Sequence, residues 1–94
     1  MLENLHTSGF ESLIGESVVV DVSSPYVFLG TLAEIEQRYL VLTDADAHDL
    51  RDTATTRDLY TVDAKRHGIN VNRRRVFVDR TQVISVSALA DVVE

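Results

Sequence analysis

The chain has 94 residues, 45% of them apolar and 26% charged, with a formal net charge of −6 and no cysteine. That is one domain's worth of chain with an ordinary folding composition. It excludes a disordered tail, a disulfide framework, a thiol nucleophile and a thiolate metal site. No apolar run approaches the ~18–20 residues that span a bilayer. The N-terminus lacks the basic start and apolar core of a signal peptide, so a cytoplasmic protein without membrane contact is the expectation.

Charge is unevenly spread. Residues 1–47 hold eight acids against Arg38 alone, whereas residues 48–94 hold seven acids and eight bases. In the stretch 65–80, Lys65, Arg66, Arg73, Arg74, Arg75 and Arg80 stand against only Asp79. A basic edge on an acidic body suits phosphates, or the acidic face of a neighbouring copy.

The first predicted element is a helix over about 8–14. Ser8 and Glu11 have the spacing of a capping box, Phe10, Leu13 and Ile14 share a face, and Gly15 suits the left-handed stop. Strand one covers about 16–22, with Val18, Val20 and Val22 on one face. Pro25 belongs to the following turn. Strand two covers about 26–36, and Gly30 in its middle marks a bend or a close backbone approach. Strand three covers about 39–44.

An insertion follows over 46–68. Asp44, Asp46, His48, Asp49 and Asp52 have the look of a calcium loop, but the sixth position is not Gly and the twelfth is Thr55. A solvated acidic loop is the reading, with no metal. Thr55 and Thr56 can cap a helix over about 56–67 that Gly68 stops, with His67 placed to complement its C-terminal dipole. Strand four covers about 70–79. Its apolar register switches among Arg73, Arg74 and Arg75, which predicts a bulge or a strong bend there. Strand five covers about 82–87, after a tight turn at Arg80 and Thr81.

This order resembles the Sm-like family over roughly residues 8–88. The first motif is matched by Leu13 and Gly15, the Val18, Val20 and Val22 alternation, Gly30-Thr31-Leu32, Ile35-Glu36 and Leu40-Val41-Leu42-Thr43-Asp44-Ala45. The second is matched by the apolar frame of Val78 to Val86. The resemblance implies a single mainly-β domain over 1–94: a small, strongly bent five-stranded antiparallel barrel, SH3-like, with an N-terminal helix and a helical insertion between strands three and four. It implies a homo-oligomeric ring, joined through strand four of one copy and strand five of the next. Arg73, Arg74, Arg75, Val83 and Ile84 are the interface candidates. It also implies RNA or nucleotide binding at two inner-rim loops, carried here by Glu36, Gln37, Arg38 and Tyr39 and by Asp79, Arg80 and Gln82. Glu36 stands where the family has Asp, Arg38 where it has an aromatic residue, and Asp79-Arg80 where it has Arg-Gly. The alternative is a homo-oligomeric scaffold that binds protein and no RNA. No nucleophile–base pair, glycine-rich phosphate loop or metal spacing is visible, so neither catalysis nor a cofactor is expected.

Overall fold

Runs of β-branched and aromatic residues too short for helices build this chain. The computed structural model describes Gly9 and residues 11–94. Five strands, β1 (Ser17–Val22), β2 (Tyr26–Ile35), β3 (Tyr39–Asp49), β4 (Arg73–Asp79) and β5 (Val83–Ala88), form one antiparallel sheet. Their order across it is β4-β3-β2-β1-β5. One helix, α1 (Arg57–His67), lies between β3 and β4. The Thr56 hydroxyl starts it by accepting from the Leu59 amide at 3.2 Å, and Gly68, at φ 97°, ends it by donating to the Ala64 carbonyl at 2.8 Å.

Strands β4 and β5 are the opposite edges of the sheet, yet only Arg80–Gln82, one turn of 3-10 helix, connects them. A flat sheet of five strands would hold its edges about 19 Å apart. The four residue steps from Asp79 to Val83 reach at most about 14 Å. The sheet therefore curls until its edges approach at that end. Register shifts let it bend, at Asp21/Val22 against β5 and at Leu29/Thr31 and Leu32/Glu34 against β3. At the first β2 shift sits Gly30, where an added Cβ would lie 2.9 Å from that of Ala45 and 3.0 Å from the Thr43 carbonyl oxygen. Asp44, just before Ala45, takes a left-handed φ of 47°.

The concave face holds Val18, Val20, Val22, Leu32, Leu40, Leu42, Ala45 and Val78. The opposite face buries Val19, Val27 and Leu29 under Ala64 of α1 and Leu89 of a C-terminal 3-10 turn. A polar pin locks α1 in place. Asp46 is 2% exposed and accepts from the Tyr60 hydroxyl and from Asn72 Nδ2. The Tyr60 ring stacks on His48 with centroids 4.0 Å apart, and Arg57 donates to Asp21 and to the Tyr26 and Ser24 carbonyls.

Several expectations need correction. Among the described residues β4 and β5 do not pair with each other, so the sheet is curled but not a closed barrel. The capping box of the helix expected over 8–14 lies outside the described residues. Of the rest, Gly9 and Glu11 are helical, but the segment unwinds from Ser12: Ile14 and Glu16 donate to the Glu11 and Leu13 carbonyls, closing two tight turns before β1. Strand three does not stop at Asp44 but runs to Asp49, paired with Tyr26–Leu29 of β2. Strand four starts at Arg73, because the Asn72 side chain occupies both polar groups of the Ala47 backbone. No bulge interrupts the arginines; the β3–β4 register is constant from Tyr39↔Asp79 to Ala45↔Arg73.

Candidate nucleic-acid interface

The two loops expected to form the rim are brought together. Glu36, Gln37 and Arg38 make the β2–β3 turn, closed by the Glu36 amide donating to the Tyr39 carbonyl at 2.8 Å. The β4–β5 turn lies against it. The β3–β4 ladder pairs Tyr39 with Asp79, and the Arg80 amide then donates to the Arg38 carbonyl at 2.8 Å. The Arg80 guanidinium reaches across and donates to the Glu36 carbonyl at 2.7 Å. Arg80, expected as a contact, thus also staples one loop to the other.

Asp79 organises its own turn. Its carboxyl accepts from the Thr81 amide at 2.9 Å and the Thr81 hydroxyl at 2.8 Å. These bonds, with a smaller contribution from Arg38 at 3.8 Å, hold the carboxyl below its ordinary range. Gln82 is tied to the β1–β2 turn: the Ser23 hydroxyl donates to its side-chain oxygen at 2.8 Å, and the Ser23 amide to its carbonyl at 2.9 Å.

What the rim presents outward is Glu36, Gln37 and Arg38, all exposed. The Arg38 side chain is 71% exposed and lies 5.4 Å from the Tyr39 ring centroid. A cation over a ring, a free amide beside it and a backbone turn pinned below form a surface that can stack a base and pair with its edge. Beside the rim a cleft of about 250 Å³ opens between Val22, Tyr26 and Phe28 on one side and Val78, Asp79 and Gln82 on the other. The reading of the sequence missed Tyr26 and Phe28, whose rings stack at 5.9 Å. Their signal was the alternation of two aromatics after Pro25, which places both on one strand face. It also missed Phe77, whose ring meets Tyr39 edge-on at 5.9 Å.

The interface candidates lie on the two free edges. Arg73, Arg74 and Arg75 are exposed along β4, and Val83 and Ile84 open β5. Asp21 pairs with Ser85 and Val22 with Val83, so Ile84 is the extra residue of a bulge, 70% exposed. Among the described residues no group of three or more His, Asp or Glu side chains could hold a metal ion. Among the described residues no helix is long and apolar enough to cross a membrane.

No family model and no curated protein matches the sequence. Solved structures do match the fold. The Sm protein of Pyrococcus abyssii, solved in complex with a uridine heptamer, superposes with a TM-score of 0.60 at 14% identity, covering 87% of this chain and 94% of that one. The SmAP1 heptamer of P. aerophilum superposes with a TM-score of 0.57 at 22% identity, covering 90% of this chain and 92% of that one. The fold is thus shared over nearly the whole length, and the chain has the Sm-like fold.

Proposed function

We propose that the protein assembles into a homo-oligomeric ring and binds single-stranded, uridine-rich RNA at the rim formed by residues 36–39 and 79–82. The observation that carries the reading is the joining of those two loops by Arg80, which leaves Gln37 and Arg38 facing outward. Arg38 and Tyr39 supply the stacking plane and Gln37 or Gln82 the edge-reading amide. Repeated around a ring, one weak site per copy becomes avid. A uridine heptamer is the ligand in the Pyrococcus structure, and a heptamer the assembly of SmAP1.

Assembly follows from the edges. A sheet that leaves β4 and β5 unpaired exposes two rows of backbone donors and acceptors. Pairing β4 of one copy with β5 of the next is a head-to-tail contact that closes when the rotation divides a full turn, and it completes the barrel wall across the seam. Ile84 at one edge and the apolar cleft beside the other supply hydrophobic surface for that joint. Arg74, on the opposite face of β4 from Arg73 and Arg75, can also meet acidic groups of the neighbour.

Titration of labelled oligouridine and oligoadenine against the assembled protein, at several salt concentrations, tests the reading. Salt-dependent binding that prefers uridine is expected, weakened by Arg38→Ala and by Arg80→Ala more than by Arg74→Ala. Absence of binding at low ionic strength would leave the scaffold reading in its place.

A further inference from the structure

The outer face of the sheet is covered unevenly. Helix α1 and the C-terminal turn pack over Val19, Val27 and Leu29, at the β1–β2 side. On β4, Val76 and Val78 point to the concave core, so by alternation Arg73, Arg75 and Phe77 stand on the outer face. Phe77 is 50% exposed above Tyr39, and its register partner Val41 is buried.

The arginines of this strip are poorly accounted for by the monomer. Arg73 donates to the Asn72 carbonyl, and none of Arg73, Arg74 and Arg75 forms an ion pair with a described residue. Two like charges on one strand face repel, and a chain of net charge −6 has acids to spare for pairing. A row of unneutralised cations running into a half-exposed aromatic ring matches a single-stranded polyanion that carries planar groups. An acidic protein segment would neutralise the arginines but has no plane to offer the ring.

We infer that Arg73, Arg75 and Phe77 form a second RNA contact, on the outer face of β4 and separate from the rim. It rests on the RNA reading above. The two arginines, about 7 Å apart along the strand, grip successive phosphates, and Phe77 takes the next base on its exposed face. A strand leaving the rim past Tyr39 runs onto this strip, so long RNAs engage both contacts and short ones the rim alone.

The experiment compares a short oligouridine, a long oligouridine and polyglutamate by fluorescence anisotropy, with ring size checked by light scattering. Arg73→Ala/Arg75→Ala should leave the short oligouridine unaffected and lower the salt slope for the long one by about 1.4, two phosphates' worth. Phe77→Leu, which keeps Val41 covered but removes the plane, should weaken the long oligouridine about tenfold. Gln37→Ala/Arg38→Ala should weaken the short one. An unchanged salt slope in the arginine variant overturns the second contact while leaving the rim standing. So does loss of polyglutamate binding alone, which makes the strip a protein contact, or a change in ring size, which makes it a subunit joint. Failure of wild type to bind either oligouridine overturns both.

Discussion

Asp46 shows how one buried side chain can tie two layers together. Its carboxyl lies between sheet and helix with Tyr60 and Asn72 as donors; removing it leaves the half-buried Tyr60 hydroxyl without its acceptor, while Asn72 Nδ2 keeps the Ala47 carbonyl. Asp46→Ala is expected to cost about 1–3 kcal/mol by chemical denaturation, with α1 loosened from the sheet. Burial, followed by the bond to Asp46, pushes the Tyr60 hydroxyl well above its ordinary value of 10.0. A raised folded pKa means its contribution is complete below about pH 10 and fades as pH climbs through the folded value. An ultraviolet titration should show one late tyrosinate step, accompanied by unfolding, that is missing in Tyr60→Phe. Gly30 is the opposite case, a residue chosen for what it lacks. A methyl there meets Ala45 and the Thr43 carbonyl, both fixed in β3, so Gly30→Ala should destabilise by about 1–3 kcal/mol. This position was legible in the sequence, because a glycine inside a β-branched run has few other reasons to be there.

At the scale of elements, what was legible was local and what was hidden was not. The helix α1 could be bounded from Thr56 and Gly68, which act within four residues of themselves. Thr56→Ala should cost about 1 kcal/mol, measured as a lower melting temperature. The second half of β3 could not be read, since Asp44-Ala45-Asp46-Ala47-His48-Asp49 has the composition of a loop. It is a strand because β2 is long enough to pair with it and because Tyr60 and Asn72 satisfy Asp46 from later in the chain. The rim was legible as two loops, but not the way Arg80 joins them: its donation to the Glu36 carbonyl depends on the β3–β4 register. Acid tests these turns. Thr81 holds Asp79 below its ordinary 3.8, and hydrogen bonds from Arg51 hold Asp49 down to about 2. A depressed folded pKa gives stability that is full above about pH 4 and lost as pH falls through the folded value. Circular dichroism should therefore show both turns intact at pH 5 and loosening progressively from about pH 4 toward 2.

The molecule as a whole carries two sheet edges, β4 and β5, that one chain cannot satisfy. The curl was implicit in the sequence as the tight turn at Arg80 and Thr81, between strands that prove to be the two ends of the sheet. The exposure of Ile84 was not, because it arises from a bulge against β1 that only the register reveals. If the edges are joints, a charge at Ile84 should break them without unfolding the protomer, so Ile84→Asp should give a folded monomer by sedimentation. Native mass spectrometry of the wild-type chain counts the copies in the assembly. A single closed species of about five to seven copies is expected, dissociating to folded monomer in Ile84→Asp. A wild-type spectrum of monomer alone, or an open-ended ladder of sizes, would contradict the ring.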